Sequence, residues 1–132
     1  LDFSKEEGEA VTKNFLESKY IKSVERILLK TKNSIRGHTE FYDDFIYLDV
    51  EAAEYLAGLD IKVVGIDYLS IKKRGGKDNR PHLAFLSKNI PIIEGLNLVD
   101  AQEGEYELYC LPLKFTNIDG APARAILIEN NK

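Results

Sequence analysis

The sequence DVEAAEYLAGLDIKVVGI, from Asp49 to Ile66, contains the clearest fold signal of the chain. Aspartate is a preferred helix N-cap residue and glycine commonly ends helices. Asp49 and Gly58 therefore predict a helix over 50–57. The run from Ile61 to Ile66 is almost continuously apolar, which is typical of a strand buried on both faces in a parallel sheet. A helix that leads directly into such a strand predicts a βαβ crossover.

Weaker signals on both sides of this unit predict the remaining elements. Ser4 followed by Glu7 forms a capping-box pattern and predicts a helix over 5–18. In chain order, the other predictions are a strand over 24–30, a loop over 31–45, an exposed basic loop over 72–80, a helix over 82–89, a brief strand at 92–93, and two antiparallel strands over 106–115 and 124–128. Together they predict a mixed α/β domain with a partly parallel, partly antiparallel sheet.

Length and composition limit the class of protein. A chain of 132 residues with 44% hydrophobic and 30% charged residues is expected to form one globular domain over residues 1–132. The net charge of −4 argues against a nucleic-acid partner, because phosphate backbones select positive surfaces. No segment approaches the roughly 18 consecutive apolar residues that a membrane span requires, so we expect no membrane partner.

Cysteine and methionine usage adds two expectations. The single cysteine, Cys110, lies in an apolar run and is expected in the core. One cysteine excludes a disulfide framework and a thiolate zinc site within one chain, which suits a cytoplasmic protein. The sequence contains no methionine, so we expect the natural translation product to begin upstream of Leu1.

His82 and Glu94 are the candidate metal ligands. Each stands at the edge of an apolar segment and a short helical spacer separates them, so an imidazole and a carboxylate can converge on one ion. A catalytic zinc usually has three protein ligands and an open position, whereas this chain has only two histidines, so the sequence predicts an incomplete site. A histidine directly after a proline is also common as a plain helix-start or surface residue, and this interpretation stays open.

Asp67 and Ser70 are candidates for an outer role at the same site. Asp67 follows a predicted parallel strand at its C-terminal end, where α/β sheets place functional side chains, and is expected to orient a ligand histidine or contact substrate. Ser70 is assigned the same role by its position. The other histidine, His38, is expected in a solvated loop. The basic loop 72–80 is expected to be an ordinary solvated segment, with attraction of a carboxylate-bearing substrate as the alternative.

Several blocks of sequence resemble the cyclase family of metal-dependent hydrolases. In chain order they are Glu51–Leu56, Val63–Ser70, His82–Leu83 with Phe85–Leu86, Ile93–Leu96, and Tyr109–Leu113 with Asp119–Ala125. They follow the family's order over most of residues 21–128, and an ordered set is far more specific than any single block.

The resemblance implies a swivelling β/β/α fold and a mono- or binuclear zinc or manganese site that hydrolyses an amide or a cyclic amide. In that family a His-x-Gly-Thr-His-x-Asp-x-Pro motif supplies most metal ligands, and a later His and Glu, twelve residues apart, complete the set. His82 and Glu94 have this separation. The early motif is absent, because Gly37-His38-Thr39-Glu40 lacks its second His, its Asp and its Pro. The chain is therefore similar to the C-terminal part of a cyclase-family protein, without the N-terminal segment that carries most of the site.

The leading hypothesis is a metal-dependent hydrolase of the arylformamidase and cyclase type, acting on a small-molecule amide, with this chain carrying part of the metal site and no identifiable catalytic residue. The resemblance also implies a homo-oligomer, either a dimer or a tetramer. The alternative is a non-catalytic truncated relative that acts as a scaffold or oligomer subunit. A third interpretation is a small-molecule-binding module that uses the strand ends near Asp67.

Overall fold

The computed structural model describes residues 1–19, 21 and 23–129. The chain forms two compact units, residues 1–102 and residues 103–132. The expected single domain over 1–132 includes positions outside the described residues, and it stays a prediction.

The described part of the first unit contains short strands and helices in alternation. In chain order these are β1 (Ala10–Val11), α1 (Lys13–Ser18), β2 (Arg26–Leu29), α2 (Lys32–Arg36), β3 (Tyr47–Leu48), α3 (Val50–Ala57), β4 (Val63–Ile66), α4 (Arg80–Leu86) and β5 (Ile92–Ile93). The second unit contains β6 (Tyr106–Pro112) and β7 (Ala123–Glu129).

A three-stranded parallel sheet with the order β2-β4-β5 forms the centre of the first unit. The predicted crossover is confirmed, because α3 precedes β4 and β4 pairs in parallel with β2. Asp49 accepts a hydrogen bond from the Ala52 backbone N–H at 2.7 Å, and Gly58 is the C-cap, as the sequence indicates. A second parallel pair, β1 with β3, is separate from this sheet.

Gly65 lies in the middle of β4, at a point where other chain segments approach closely. It pairs with Leu28 on one side and with Ile93 on the other. A Cβ atom at position 65 would lie 2.5 Å from Leu28 Cδ2 and 2.8 Å from Leu96 Cδ1. The space next to Gly65 on that face of the strand is therefore filled by the side chains of Leu28 and Leu96.

The core of the first unit is continuous and apolar. Its largest fully buried members are Tyr68, Phe85, Leu16, Ile27, Leu29, Leu48, Leu56, Ile66, Ile71, Val11 and Val64. Most of them come from the inner faces of α1, α3 and α4 and from the strands β2 and β4. Among the described residues, no helix has the length and hydropathy needed to cross a membrane.

The predicted first helix is wrong over its N-terminal half. The structure has β1 within that range and begins α1 only at Lys13, where Thr12 is the N-cap and accepts from the Phe15 N–H at 3.3 Å. The N–H of Ser4 instead donates to Asp2 Oδ1 at 2.8 Å, so Ser4 is part of a local turn. Gly8 has a φ of 134°, a conformation that interrupts a helix.

Two further boundaries differ from the prediction. The expected loop over 31–45 contains α2, whose N-cap Thr31 accepts from the Asn33 N–H at 3.0 Å. The helix expected over 82–89 runs instead from Arg80 to Leu86, so His82 lies within its first turn.

The second unit is a two-stranded antiparallel hairpin in which Tyr109 pairs with Ile126. Both predicted strands are confirmed, with the first ending at Pro112. The combination of parallel and antiparallel strands is also confirmed, although the two kinds of pairing lie in separate sheets among the described residues. Cys110 is half-buried in β6, so its expected place in the core is wrong.

Candidate metal centre

His82 is positioned by α4. Pro81 lies in the first turn of this helix, where its fixed φ favours helical geometry, and it is buried. Phe85 is fully buried on the same helix. These two contacts turn the helix so that the imidazole of His82 lies at the edge of the core, with 29% of the side chain exposed.

Glu94 directly follows β5 and is held by a backbone hydrogen bond. The Ile71 N–H donates to Glu94 Oε1 at 2.8 Å. The chain turns after Glu94 at Gly95, which has a φ of 73° and donates its N–H to the Tyr68 carbonyl at 2.7 Å. About a third of the Glu94 side chain, 33%, is exposed.

The two candidate ligands meet in space. His82 Nε2 and Glu94 Oε1 are 3.3 Å apart, although twelve residues separate them in sequence. An imidazole nitrogen beside a carboxylate oxygen is a donor set that zinc, manganese and iron accept. Within residues 1–19, 21 and 23–129, no group of three or more His, Cys, Asp or Glu side chains is arranged to hold a metal ion. The pair therefore fits as part of a metal site.

His38 and a cavity near the N-terminus are not part of this pair. The His38 ring is stacked on Tyr68, with 6.1 Å between the ring centroids, and the residue is exposed as expected. A cavity of about 730 Å³ is lined by residues between Phe3 and Lys19 and includes neither His82 nor Glu94. His82 and Glu94 are both partly exposed and lie outside that cavity.

Asp67 has different partners from those expected. Its carboxylate is fully buried and accepts hydrogen bonds from three residues of the β2–α2 connection and α2 itself. The donors are Thr31 N at 2.7 Å, Thr31 Oγ1 at 2.8 Å, Ser34 N at 3.0 Å, Ser34 Oγ at 2.7 Å and Asn33 Nδ2 at 3.4 Å. Among the described residues, no hydrogen bond joins Asp67 to His82 or Glu94. Its observed contacts make it the anchor of α2.

Ser70 lies next to the anchor of Glu94. Its Oγ accepts from the Lys72 N–H at 3.3 Å, and it directly precedes Ile71, whose N–H binds the Glu94 carboxylate. The side chain is half-buried. Ser70 thus belongs to the turn that presents the backbone donor, and no hydrogen bond joins it to His82 in the described part of the chain.

An aromatic cluster around Tyr68, which the sequence interpretation missed, stabilises the start of the turn that contains Ser70 and Ile71. The buried ring of Tyr68 packs against Tyr42 and Phe45 at centroid distances of 4.3 Å and 4.7 Å. Its hydroxyl accepts from the Tyr42 N–H at 2.9 Å and donates to the Tyr42 carbonyl at 3.2 Å. Burial, with the neighbouring Tyr68 phenol, raises the pKa of Tyr42 to about 12. The closely spaced aromatic residues at 41, 42 and 45 were the sequence signal that could have predicted this cluster.

The basic loop 72–80 is exposed and several of its cations are already paired with carboxylates. The ion pairs are Lys73 with Glu9 at 3.3 Å, Arg74 with Asp43 at 2.7 Å, and Arg80 with Asp78 at 2.7 Å. The hydrogen-bonded Arg80 guanidinium holds the pKa of the Asp78 carboxyl below its usual range. This pairing weakens the positive field of the loop and supports the interpretation of an ordinary solvated segment.

Curated proteins resemble this chain over most of its length. A kynurenine formamidase of Bacillus cereus is 34% identical over 120 residues, which are 90% of this chain and 56% of that protein. A kynurenine formamidase of Erythrobacter litoralis is 37% identical over 110 residues, or 83% of this chain and 50% of that protein. Cyclase-like protein 2 of Oryza sativa subsp. japonica is 38% identical over 125 residues, or 90% and 46%. The chain spans about half the length of these relatives.

Solved structures agree with this result. A predicted metal-dependent hydrolase from Bacillus stearothermophilus superposes with a TM-score of 0.87 at 37% identity, and the match covers 96% of this chain and 60% of that one. A potential metal-dependent hydrolase with cyclase activity gives a TM-score of 0.86, also at 37% identity, over 96% of this chain and 61% of that one. No protein-family model matches the chain.

Fold and sequence together make this chain a homologue of metal-dependent hydrolases of the cyclase type. Among the curated relatives of that class, it is similar to kynurenine formamidases and cyclase-like proteins, and the resemblance inferred from the sequence blocks is confirmed.

Proposed function

We propose that this chain carries the C-terminal part of a metal-dependent hydrolase that cleaves an amide or cyclic amide bond in a small molecule. The observation that carries the proposal is the 3.3 Å approach of His82 Nε2 to Glu94 Oε1. Two partly exposed donors of these types, brought together from separate elements, suit a shared cation. The names of the similar proteins, which include kynurenine formamidase and metal-dependent hydrolase, support the same class of reaction.

His82 and Glu94 would hold a divalent metal, either zinc or manganese, and the Ile71 N–H would orient the Glu94 carboxylate. Such an ion acts as a Lewis acid and lowers the pKa of water, which is the chemistry that amide hydrolysis requires. A carboxylate that is oriented by a backbone donor loses less freedom when it binds a cation. Because a catalytic zinc generally has three protein ligands, further donors would come from outside the described residues.

The proposed setting is a cytoplasmic homo-oligomer, a dimer or a tetramer, in which donors from another chain segment or another subunit complete the site. Asp67 has no contact with the pair among the described residues, so its proposed role is indirect. It would fix the C-terminal end of β4. The chain continues from there through Ser70 to Ile71, whose N–H donates to Glu94.

A non-catalytic role is the second candidate. One observation favours it: the described residues contain no group of three potential metal ligands. A chain of this kind would keep the fold and its subunit contacts while binding metal weakly or not at all. The two candidates differ in metal content and in turnover, and both quantities can be measured.

Metal affinity is the first measurement. We expect the chain to bind zinc weakly, and expect His82→Ala and Glu94→Ala each to weaken binding by about tenfold or more, because each removes one of two donors. Competition with a chromophoric chelator measures this affinity. His38→Ala and Glu40→Ala are matched controls, since both residues are exposed and lie outside the pair. Equal losses in all four variants would identify nonspecific binding and reject the site.

The natural gene product provides the second measurement. If the hydrolase proposal is right, its intact mass exceeds that of this 132-residue chain, and the purified protein contains stoichiometric divalent metal and hydrolyses formyl-anilides. Chelation should abolish turnover, and added zinc or manganese should restore it. A homogeneous natural product without metal and without turnover would instead establish the non-catalytic subunit.

A further inference from the structure

The turn over residues 67–71, which we call the support turn, holds Glu94 at two points. The Ile71 N–H donates to Glu94 Oε1 at 2.8 Å. The Tyr68 carbonyl accepts from the N–H of Gly95, the next residue after the acid, at 2.7 Å. The position of the carboxylate therefore depends on the backbone of the support turn.

The side chain of Tyr68 attaches the support turn to residues 37–45, which we call the aromatic segment. The hydroxyl accepts from the Tyr42 N–H at 2.9 Å and donates to the Tyr42 carbonyl at 3.2 Å, so one side chain pairs with both backbone polar groups of one residue. The ring is 1% exposed and packs against Tyr42 and Phe45. Because buried backbone groups are costly to leave unpaired, this attachment is strong.

The aromatic segment also contacts the loop that leads into α4. The Arg74 guanidinium pairs with Asp43 at 2.7 Å and lies 4.2 Å from the centre of the Phe41 ring. Arg74 precedes α4, the helix of His82. The segment is thus joined both to the turn that holds the acid and to the loop before the imidazole. Exposed ion pairs and cation–π contacts are individually weak, so the buried Tyr68 contact is the main attachment.

The Glu94 side chain has freedom to lose. It is 33% exposed, and both His82 Nε2 and the Ile71 N–H approach the same oxygen, Oε1. Glutamate has several rotatable bonds, and ordering them on binding a cation costs conformational entropy. A backbone donor that is already in place reduces this cost, as outer hydrogen bonds do for metal ligands in general.

We propose that Tyr68 is a positioning residue for Glu94. By attaching the support turn to the aromatic segment, it holds the Ile71 N–H where it directs the carboxylate towards His82. The inference rests on the proposed metal site and adds to it a residue that acts through the backbone of the turn. Asp67 attaches the same turn to α2, so loss of the Tyr68 hydroxyl should loosen the turn without unfolding the domain.

Amide hydrogen exchange of the metal-free full chain, followed by NMR, tests the backbone step. Tyr68→Phe keeps the ring but removes both hydrogen bonds to Tyr42, so the Ile71 amide should exchange at least about tenfold faster relative to the amides of β4. Phe45→Leu reduces the same contact from the other side and should have the same effect, which keeps the test decisive if Tyr68→Phe does not fold.

Ile27→Val is the matched stability control for the exchange measurement. It shortens a fully buried side chain of β2, remote from the aromatic contact, and lowers stability by core packing alone. It should not accelerate the Ile71 amide more than the amides of β4. If Tyr68→Phe and Phe45→Leu behave like this control, the positioning role is rejected.

Zinc affinity tests the second step through a double-mutant cycle. Tyr68→Phe should weaken zinc binding by about threefold in the original chain, and by no more than about 1.5-fold in the Glu94→Ala background, where no carboxylate remains to be positioned. A merely structural role would weaken binding equally in both backgrounds. Where zinc binding depends on His82, equal losses or the absence of any loss would overturn the proposal.

Failure of the metal site itself would be seen separately. Zinc binding that His82→Ala leaves unchanged would refute the proposed function. The exchange rate of the Ile71 amide, measured without metal, would then still decide whether Tyr68 positions the acid.

Discussion

Replacing Asp67 by alanine is expected to lower the free energy of unfolding by about 3–5 kcal/mol. The carboxylate is fully buried and accepts two backbone N–H and three side-chain hydrogen bonds. Without it, donors of Thr31 and Ser34 remain buried with no acceptor, and each unsatisfied group costs about 1–3 kcal/mol. The loss extends further, because Ser34 Oγ also accepts from the Leu98 N–H at 3.2 Å.

Urea denaturation followed by circular dichroism measures this effect. Asp67→Asn keeps the shape but turns an NH₂ group towards donors, so it should still cost about 2 kcal/mol or more. Ser34→Ala removes one donor to Asp67 and the acceptor of the Leu98 N–H, so it should cost about 2 kcal/mol. This variant keeps the test informative if Asp67→Ala does not fold. Asp119→Ala, in an exposed loop, is the matched control. An Asp67→Ala loss below about 1 kcal/mol would contradict the anchoring role.

Replacing Phe85 by alanine should lower the free energy of unfolding by about 3–5 kcal/mol. Phe85 is fully buried and attaches α4 to α3 and the central sheet. The truncation leaves a cavity that the surrounding helices cannot fill completely. Because α4 carries His82, the same substitution should also weaken zinc binding, whereas His82→Ala should weaken zinc binding with a clearly smaller loss of stability.

Two substitutions serve as controls for Phe85. Phe85→Leu keeps most of the apolar volume, so its loss should be clearly smaller than that of Phe85→Ala. Leu86 lies on the same helix with 54% of its surface exposed, and Leu86→Ala should change the free energy of unfolding by no more than about 0.5 kcal/mol. Equal losses at positions 85 and 86 would show that helix propensity rather than core packing determines the stability of α4.

The sequence predicts the α3 and β4 unit well because its signals are local. Asp49, the apolar face of the helix and Gly58 act within one helix, and a continuously apolar strand can only be buried. The N-terminal helix was wrong for the opposite reason: Ser4 and Glu7 match a capping pattern, but Asp2 and Gly8 direct the chain into a turn. The capping pattern alone does not show whether Ser4 forms hydrogen bonds with Glu7 in a helix or with Asp2 in a turn.

The α2 helix was missed because its stabilising partner is distant. Asp67 accepts hydrogen bonds from the N-terminus of this helix, although 33 to 36 residues separate it from the donors in sequence. Asn33 adds a second long-range contact by donating to the Ile46 carbonyl at 2.8 Å and accepting from its N–H at 2.9 Å. These contacts exist only after the sheet has formed, so no window of sequence around residues 31–36 contains them.

The candidate site divides in the same way. Residue type and spacing, with the resemblance, singled out His82 and Glu94 as candidate ligands, and the structure places the two side chains 3.3 Å apart. Their binding of a metal stays a prediction. The Ile71 N–H that holds Glu94 has no signature in the sequence, because every residue except proline has this donor. The position of Asp67 at a strand end was predicted correctly, whereas its partners depend on which loop covers that end.

A single missing methyl group leaves room for two leucine side chains beside the strand next to the acid. Gly65 is paired with Ile93, the residue before Glu94, and the side chain of Leu96 occupies the space where a Cβ would stand. Any larger residue at 65 must displace the ends of the Leu28 and Leu96 side chains, and Leu96 lies two residues after the acid. The packing next to the acid thus depends on the smallest amino acid in the sheet, which has no chemistry of its own.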